Sequence, residues 1–345
     1  MKVLVTGGCG FIGSNFVRLL LARRPDVHVV NLDKLTYAGN AGNLRDLERD
    51  PRYTFVHGDV AEPADVTRAI AGCDAVVHFA AESHVDRSIT DAAPFLRTNI
   101  LGTAVLLEAA RAQRITRMIH ISTDEVYGDI PPGHASTEDD ALRPNSPYAA
   151  SKASADLLAR AYHVTHGLPV IITRASNNFG PYQFPEKMVP LCITNILEEQ
   201  DVPLYGDGLQ VRDWLYVHDH CEALLHVLDH GAPGETYNIS GAQSLTNREL
   251  LSHLLCELGA GENRIRPVTD RPGHDRRYAL DGAKLAQLGW RPRVEFAVAL
   301  RDTVTWYRTH PEWWRPLKKK LRADSYHWLD RAAGSSAPRA TGTRA

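Results

Sequence analysis

A glycine-rich turn near the start of the chain constrains the fold more than any other segment. The segment TGGCGFIGS follows the apolar run VLVT and precedes a helical pattern, and it contains both the Gly8, Gly10, Gly13 and the Gly7, Gly10, Gly13 spacings. Such glycines permit a tight turn, let backbone N–H groups approach a pyrophosphate, and allow a helix to pack closely on a strand. In this context the motif favours a dinucleotide site over a strand-turn-helix unit without a ligand.

Apolar runs alternate with helical patterns through the first half of the chain, which is typical of a parallel sheet with crossover helices. The predicted strands are Lys2–Thr6, Val27–Leu32, Tyr53–His57, Ala75–Phe79, Arg117–Ser122 and Val170–Thr173. The predicted helices lie near Ile12–Arg23, Ala64–Ala69, Pro94–Ala112 and Pro147–His166. Runs such as VLVT and VVHF are apolar enough for strands that are covered on both faces. The pattern predicts an α/β fold, a Rossmann-type doubly wound parallel sheet with a smaller C-terminal α/β substrate lobe.

The pattern loosens beyond residue 175, where segments with Pro, Gly and Asn alternate with helices near Met188–Glu199 and Arg248–Leu258. We expect a Rossmann domain over residues 1–175 and mainly a substrate lobe over 176–315, from which some segments return to the Rossmann sheet. A C-terminal extension follows over 316–345. Its basic run, KKKLR at 318–322, is expected to be a solvated surface or a helix end, and its composition predicts disorder from about residue 332.

Two carboxylates follow predicted strands at the dinucleotide site. Asp33 ends the second strand twenty residues after Gly13, where a carboxylate binds the adenosine ribose hydroxyls. It would repel a 2′-phosphate, which favours NAD over NADP, although the adjacent Lys34 weakens that preference. Asp59 follows the third strand, where it is either an adenine contact or a turn residue.

A helix start at Ser146 and Pro147 leads into Tyr148 and Lys152, whose spacing of four puts both side chains on one helix face. A free tyrosine has a pKa near 10, so its phenolate is used at neutral pH only if that pKa falls by about three units, or about 4 kcal/mol. A nearby ammonium helps to supply this change. The pair is therefore a candidate acceptor for the proton of a hydroxyl that is being oxidised.

The chain resembles the extended short-chain dehydrogenase/reductases and, within them, the dTDP-glucose 4,6-dehydratases of deoxysugar biosynthesis. The resemblance spans about residues 1–315 and is carried by TGGCGFIGS, DKLTYAGN, HFAAESHVDRS, STDEVYG, SPYAASK, NNFGPYQFPEK, YGDGLQVRDWLYVHDH and RPGHD. It implies a hydro-lyase with a tightly bound NAD that is recycled within each catalytic cycle. A thymidine base in place of uridine follows from the resemblance alone, since one methyl group contributes only about 1 kcal/mol in a pocket.

The resemblance also gives chemical tasks to Thr123, Asp124 and Glu125, which follow the fifth predicted strand. Oxidation of the sugar at C4 makes the C5 proton acidic, after which one group removes that proton and another protonates the departing C6 hydroxyl. By resemblance Glu125 is the base and Asp124 the acid, and Thr123 hydrogen-bonds the C4 hydroxyl. Tyr148 takes that hydroxyl's proton while NAD accepts the hydride, which then returns to C6. The product is a 4-keto-6-deoxy sugar.

The remaining site residues follow from the resemblance residue by residue. The NAD site comprises Gly7, Gly8, Gly10, Phe11, Ile12, Gly13, Asp33, Lys34, Leu35, Thr36, Asp59, Val60, Phe79, Ala80, Ala81, Ser83, Thr98, Tyr148, Lys152 and Asn178. The substrate site comprises Ser83, Thr123, Asp124, Glu125, Tyr148, Asn177, Glu186, Lys187, Pro203, Tyr205, Arg212, Asn247, Arg271 and His274. The guanidinium groups of Arg212 and Arg271 suit a diphosphate because their paired donors match phosphate oxygens.

Composition excludes several other classes of protein. The formal net charge of −2 gives no global attraction to nucleic acid or to anionic membranes. The five cysteines are far apart and lack metal-ligand spacing, which indicates reduced thiols, neither a disulfide framework nor a metal site. The apolar run after Met1 is too short for a signal peptide or a membrane span, so we expect a cytoplasmic protein. Relatives of this kind are commonly homodimers through helices such as Pro94–Ala112 and Pro147–His166.

Two alternatives remain open. Another nucleotide-sugar enzyme on this scaffold, such as a UDP-sugar 4-epimerase or a decarboxylase, would share NAD, Tyr148 and Lys152 but would not need Asp124 and Glu125 together. A non-catalytic NAD-sensing protein would be free to lose all four side chains. Their joint presence favours the dehydratase.

Overall fold

The computed structural model describes residues 1–323, and its twelve strands in this part of the chain form three sheets. The strands are β1 Lys2–Thr6, β2 His28–Asp33, β3 Tyr53–His57, β4 Ala75–His78, β5 Arg117–Thr123, β6 Val170–Ala175, β7 Asn177–Phe179, β8 Val202–Tyr205, β9 Val211–Tyr216, β10 Thr236–Ile239, β11 Ser244–Thr246 and β12 Ile265–Val268. All six predicted strands are present, with boundaries within two residues of those expected. The disorder predicted from about residue 332 concerns residues outside the described part of the chain.

Helices cover both faces of the central sheet. They are α1 Phe11–Arg23, α2 Pro63–Ile70, α3 Val85–Thr90, α4 Ala93–Phe95, α5 Gly102–Ala112, α6 Pro147–His166, α7 Met188–Leu197, α8 Val217–His230, α9 Asn247–Leu258, α10 Ala283–Gln287, α11 Phe296–Thr309 and α12 Pro311–Ala323. A π-helical turn at Leu96–Leu101 joins α4 to α5, so the helix predicted over Pro94–Ala112 is continuous in path but not α-helical throughout. Within residues 1–323 no helix is long and apolar enough to cross a membrane.

The central sheet has seven strands in the order β10-β6-β5-β4-β1-β2-β3, and every neighbouring pair is parallel. The chain runs from β1 outwards to β2 and β3, and then returns to place β4 on the other side of β1. A crevice opens outside the carboxyl ends of the strands where the direction reverses, and open parallel sheets hold their ligands there. This arrangement confirms the predicted doubly wound fold.

Alternate side chains of β1 enter two different hydrophobic clusters. Val3 and Val5 pack in one cluster with Phe16 of α1, whereas Leu4 packs in the other with Leu106 of α5. Successive side chains of a strand point to opposite faces of a sheet, so β1 is buried on both sides. This explains why its sequence is a continuous apolar run.

The second half of the chain builds a smaller lobe and also completes the central sheet. β10 pairs with β6 as the seventh strand, while β11, β9 and β7 form one small sheet and β12 pairs with β8 in another. α9 begins with a capping box in which the Thr246 hydroxyl accepts from the Glu249 N–H and the Glu249 carboxylate accepts from the Thr246 N–H.

The last helices of the described chain pack back onto the beginning of the sequence. The Trp313 indole donates to the Asn43 amide oxygen at 2.8 Å, and the Asn43 amide nitrogen donates to the Cys9 carbonyl oxygen at 2.9 Å. Lys318, in the run expected to be a solvated surface or a helix end, is only 4% exposed, and its Nζ lies 3.0 Å from Oε2 of Glu198. The expectation of a solvated surface is wrong for Lys318 because α12 lies against α7 through this side chain rather than standing free.

We expect Gly7→Ala to destabilise the protein far more than Gly167→Ala. Both glycines have positive φ, +72° and +68°, so alanine costs each about 1–2 kcal/mol of backbone strain. A Cβ on Gly7 would also lie 2.6 Å from the Ala80 backbone nitrogen, whereas a Cβ on Gly167 would meet no heavy atom of the described chain within 4 Å. Denaturant unfolding should give a loss of at least about 3 kcal/mol for Gly7→Ala. Equal losses in the two variants would contradict the proposed close contact.

Candidate active site

One cavity, of about 240 Å³, lies at the carboxyl ends of β1, β2 and β4. Of the residues predicted to contact NAD, those that line it are Gly7, Gly10, Phe11, Ile12, Gly13, Asp33, Lys34, Thr36, Asp59, Val60, Phe79, Ala80, Ala81, Ser83, Thr98, Tyr148 and Lys152. Ser83 and Tyr148, which are also predicted to contact substrate, thus lie at this cavity. The wall further includes Ala38, Gly39, Glu82, Ser122 and Phe184, which were not predicted.

The glycine-rich turn forms the floor of this NAD cavity. The Gly7 N–H donates to the Leu32 carbonyl oxygen at 2.8 Å, and the Gly10 N–H donates to the Gly7 carbonyl oxygen at 3.1 Å. A Cβ on Gly13 would lie 2.4 Å from the Gly7 carbonyl oxygen, so a larger residue there would push α1 away from the turn. The first turn of α1, with the partly buried Phe11 and Ile12, therefore faces the cavity, as a diphosphate site requires.

The Asp33 carboxylate is fixed at the end of β2 by backbone donors. It accepts hydrogen bonds from the N–H groups of Cys9 and Leu35, both at 2.8 Å. Burial raises the pKa of Asp33, and these two hydrogen bonds oppose that rise. Cys9, for which the sequence suggests no role, thus helps to hold Asp33 at the cavity.

Lys34 is engaged by a carboxylate at the same end of the cavity. Its Nζ lies 2.8 Å from Oδ2 of Asp59, whose other carboxylate oxygen accepts from the Ala61 N–H at 2.9 Å. Burial acts to raise the pKa of Asp59, but the Lys34 contact and the Ala61 hydrogen bond outweigh it, and the pKa is lowered. With its charge committed to Asp59, Lys34 is a poor partner for a 2′-phosphate, which removes the sequence-based argument against NAD.

Three other residues predicted near NAD lie outside the immediate cavity wall. The Gly8 N–H donates to the Asn31 amide oxygen at 3.0 Å, and Leu35 is partly exposed with a φ of 55°. Asn178 lies on the wall of a second cavity, where its amide nitrogen donates to the Ser176 carbonyl oxygen at 2.9 Å.

Tyr148 and Lys152 lie on the first turns of α6, where the Ser146 hydroxyl accepts from the Ala149 N–H as an N-cap. Both side chains line the NAD cavity, and the Lys152 ammonium donates to the Ile121 carbonyl oxygen at 2.6 Å. Burial lowers the pKa of Lys152 to about 8.

The protein alone does not lower the pKa of Tyr148 in the way that the sequence suggested. Burial and the nearby Glu125 charge raise this pKa, and a hydrogen bond with Thr123 opposes the rise. The sequence suggested that a nearby ammonium helps to lower this pKa, but the Lys152 ammonium is itself hydrogen-bonded to the Ile121 carbonyl oxygen. Desolvation of the phenolate, together with the neighbouring carboxylate, outweighs the opposing Thr123 hydrogen bond.

The Asp124–Glu125 pair lies in a 3-10 turn at the end of β5, capped by the Thr123 hydroxyl, which accepts from the Glu125 N–H at 3.3 Å. Thr123 also donates to Oδ1 of Asp124 at 3.1 Å. Burial and the Glu125 charge raise the pKa of Asp124 well above its ordinary value. Burial also raises the pKa of Glu125, but Arg271, Arg212 and Lys187 oppose that rise. The two neighbouring carboxyl groups thus differ: Asp124 favours the neutral acid, and Glu125 is the better carboxylate.

A second cavity, of about 200 Å³, adjoins the first and lies between the sheet and the smaller lobe. Of the residues predicted to contact substrate, those that line it are Glu125, Asn177, Glu186, Lys187, Pro203, Tyr205, Arg212, Asn247, Arg271 and His274. Glu186 and Lys187 line both cavities, so the two are continuous there. Thr123 and Asp124 are buried beside Glu125.

Cationic side chains converge on this second cavity. The Arg212 guanidinium donates to the Asp275 carbonyl oxygen at 2.9 Å and lies 4.1 Å from the centre of the Tyr278 ring. The Arg271 guanidinium lies 3.2 Å from the Asp86 carboxylate, and Lys187 donates to the Ser83 carbonyl oxygen at 2.8 Å. Two fixed guanidinium groups in a partly enclosed cavity form a suitable diphosphate site.

Sequence reasoning missed several residues of this cavity. Asp86 contacts both Arg271 and the Tyr205 hydroxyl, the latter at 2.9 Å, and it lies within the segment HFAAESHVDRS. The indole nitrogen of Trp214 and the amide oxygen of Asn177 are buried at the cavity without a hydrogen-bond partner in the described chain. Trp214 belongs to the segment RDWLYV. Asp86 and Trp214 therefore both lie in segments that carry the family resemblance. A single sequence, however, does not show which side chains of such segments face the cavity.

Comparisons with known proteins agree with this geometry. A family model described as GDP-mannose 4,6 dehydratase matches residues 4–303. The dTDP-glucose 4,6-dehydratase of Streptomyces antibioticus is 55% identical over 93% of this chain and 96% of its own length. The corresponding protein of Escherichia coli K12 is 49% identical over 91% of this chain and 94% of its own.

Solved structures of nucleotide-sugar enzymes are similar to this chain in fold and in sequence. The dTDP-glucose 4,6-dehydratase DesIV of Streptomyces venezuelae, with NAD and TYD bound, has a TM-score of 0.90 and 55% identity, covering 92% of this chain and all of its own. The UDP-glucose 4-epimerase of Thermus thermophilus, in complex with NAD, has a TM-score of 0.84 and 34% identity, covering 90% of this chain and all of its own.

The Asp124→Asn substitution should remove a pH-dependent loss of stability. Because the folded-state pKa of Asp124 is raised, its contribution is fully favourable below the unfolded pKa near 3.8 and is lost as the pH rises towards the folded value. The Tm of the wild type should therefore fall relative to that of Asp124→Asn as the pH rises above the unfolded-state pKa. Asp302→Asn, at an exposed carboxyl group, serves as the control. Parallel Tm curves for wild type and Asp124→Asn would contradict the assignment.

Proposed function

The chain belongs to the dTDP-glucose 4,6-dehydratases within the GDP-mannose 4,6 dehydratase family, and on this premise we propose that it converts dTDP-glucose to dTDP-4-keto-6-deoxyglucose. The observation that carries the proposal is the buried Asp124 next to Glu125, which lines the second cavity, beside Tyr148 and Lys152 of the first cavity. This arrangement supplies a proton acceptor for oxidation together with a separate acid and base for elimination.

The residues of the first cavity fit NAD. The glycine turn leaves the start of α1 open to a diphosphate. Backbone hydrogen bonds hold the Asp33 carboxylate where it can bind a ribose, and Lys34 contacts the Asp59 carboxylate. When bound, NAD supplies the two-electron acceptor that oxidises C4 and returns the same electrons to C6. Backbone on several sides of the cavity is consistent with a cofactor that stays bound through the cycle.

Tyr148 accepts the proton of the C4 hydroxyl in the first step. Its hydroxyl already hydrogen-bonds Thr123, whose own hydroxyl is positioned to contact the same sugar oxygen. Tyr148 enters this step as a phenolate and becomes a neutral phenol when it takes the proton. The Lys152 ammonium stabilises first that phenolate and then the developing charge on the substrate oxygen.

Glu125 and Asp124 carry out the elimination from the 4-keto sugar. Glu125 removes the C5 proton, which the adjacent carbonyl has made acidic, and Asp124 donates a proton to the C6 hydroxyl as it leaves as water. Arg271, Arg212 and Lys187 keep Glu125 available as a base, while burial keeps Asp124 protonated. When hydride returns to C6, Glu125 gives a proton back to C5. The proton that Asp124 has lost to water is replaced, by exchange with solvent, by the one that Tyr148 took from the C4 hydroxyl.

The second cavity takes the nucleotide and the diphosphate. Arg212 and Arg271 bind the diphosphate, Asn177, Glu186 and Lys187 contact the sugar, and the residues Pro203, Tyr205, Asn247 and His274 complete the wall around the nucleotide. Residues 176–315 are in this view mainly the nucleotide-sugar lobe, although β10 belongs to the central sheet.

A 4-epimerase remains the main alternative, and the likeness to an epimerase structure at 34% identity supports the shared scaffold. An epimerase uses Tyr148 and Lys152 but has no task for a buried, protonated Asp124 beside Glu125. A non-catalytic NAD-sensing protein has no task for any of these groups.

Incubation of the purified protein with dTDP-glucose tests the proposal. We expect a 4-keto-6-deoxy product without added reductant, and with solvent deuterium incorporated at C5. Asp124→Asn and Glu125→Gln should slow elimination more than C4 oxidation, so NADH absorbance should accumulate by at least about tenfold over wild type. An epimerised product, or no turnover, would sink the proposed activity. Full dehydration by both variants would refute the carboxylate roles alone.

We further propose a cytoplasmic homodimer. Five free thiols, four of them buried, support a reducing compartment. Apolar side chains along one side of the molecule support the dimer, because Leu96, Leu101, Leu157 and Val164 are 47–66% exposed on the π-helical turn and α6.

Disruption of this apolar face tests the dimer. Leu157→Glu should convert a dimer to a monomer in light scattering, because a carboxylate would be buried at the interface. Val298→Glu, at a comparably exposed residue of α11, should leave the mass unchanged. A monomeric wild type would contradict the dimer.

A further inference from the structure

A buried carboxylate lies one helical turn beyond Lys152. Asp156 is 1% exposed on α6, and its spacing of four from Lys152 puts both side chains on the same helix face. Neither the oxidation nor the elimination described above uses it. An ionised carboxylate this deep in a protein requires partners that offset its desolvation.

Those partners come from two neighbouring strands. Oδ2 of Asp156 accepts from Nε of Arg174, on β6, at 2.9 Å, and Nε2 of His120, on β5, lies 3.4 Å from Oδ1. Burial acts to raise the pKa of Asp156, but the contacts with His120 and Arg174 outweigh it, and the pKa is lowered. Asp156 therefore remains an anion at neutral pH.

The network continues from Arg174 to the turn that carries the acid and the base. Arg174 Nη1 donates to the Tyr127 hydroxyl at 2.8 Å, and this hydroxyl donates to the Asn238 amide oxygen at 2.8 Å. Tyr127 is the last residue of the 3-10 turn that begins at Asp124. One chain of contacts thus joins the helix of Tyr148 and Lys152 to the turn of Asp124 and Glu125.

Among the charged and titratable groups around Lys152, Asp156 is the main negative charge. His78 on β4 and His120 on β5 are both buried, and burial lowers their pKa values, with the Lys152 charge contributing. Both rings are therefore neutral at pH 7, and Arg174 is a like charge. Burial lowers the pKa of Lys152 to about 8, and the Asp156 charge opposes that lowering.

We propose that Asp156 is a positioning residue, which keeps the Lys152 ammonium charged and, through Arg174 and Tyr127, fixes the Asp124–Tyr127 turn relative to Lys152. This inference rests on the proposed function, because it gives Asp156 its role through Lys152. The class of reaction is unchanged, and Asp156 does not touch the substrate.

The pH profile of dehydration separates this role from a purely structural one. Activity that needs a charged Lys152 declines as the pH rises through its pKa. Asp156→Asn retains the shape of the side chain but removes its charge, so the alkaline limb of kcat should move to lower pH by about one unit. Activity near pH 6 should fall much less. Asp156→Glu should restore the limb, and Asp219→Asn, a buried carboxylate of α8 that accepts from the Val294 N–H, should leave it in place.

Thermal unfolding provides a readout that does not depend on activity. With a folded Lys152 pKa below that of wild type, Asp156→Asn loses the lysine proton at a lower pH. Its stability therefore begins to increase at a lower pH than that of wild type, in which the increase begins near pH 8. The Tm deficit of Asp156→Asn should therefore shrink between about pH 6 and 9. Tyr127→Phe, which removes a hydroxyl but no charge, should give a deficit that is constant with pH.

The outcomes distinguish this inference from the proposed function. A constant Tm deficit together with an unshifted kcat limb in Asp156→Asn would overturn the role of Asp156, even if the wild type is a dehydratase. A wild type without dehydratase activity would overturn the proposed function, whereas the Tm measurements would still report whether Asp156 maintains the charge of Lys152.

Discussion

Backbone packs directly on backbone where the glycine turn after β1 meets the end of β4, and the positions of both cavities depend on this contact. A Cβ on Gly7 would lie 2.6 Å from the backbone of Ala80, so no side chain can separate the two segments. The chain reverses its direction of winding at this point, and the crevice above it receives the ends of β2 and β5 as well. The residues that bind the cofactor and those that act on the sugar consequently share one edge of the sheet.

Asp124, Lys152 and Asp156 are buried at this edge, where charges interact more strongly than in water, and this makes the arrangement of charges decisive. Burial and the neighbouring Glu125 charge raise the pKa of Asp124, whereas Arg271, Arg212 and Lys187 oppose the rise that burial causes in the pKa of Glu125. Lys152 and Asp156 form a corresponding pair on the other side. Asp156 is offset in turn by Arg174 of β6, so the chemistry depends on the relative placement of the helix and the strands.

The local patterns of the sequence predicted the central sheet well, because strands buried on both faces are continuous apolar runs. The return of β10 to the sheet was less visible, since only four residues, Thr236–Ile239, form that strand. The raised pKa of Tyr148 and the burial of Lys318 could not be predicted, because both depend on segments distant in sequence. The same limit applies to Asp156, whose partner Arg174 is recognisable only once β5 and β6 are adjacent.

The contact between α12 and the glycine turn has a consequence for synthesis of the protein. Asn43 receives its hydrogen bond from Trp313 and donates one to the Cys9 carbonyl oxygen, so α12 supports a turn that lies about 300 residues earlier in the chain. A chain synthesised only as far as α11 therefore holds the glycine turn without this support.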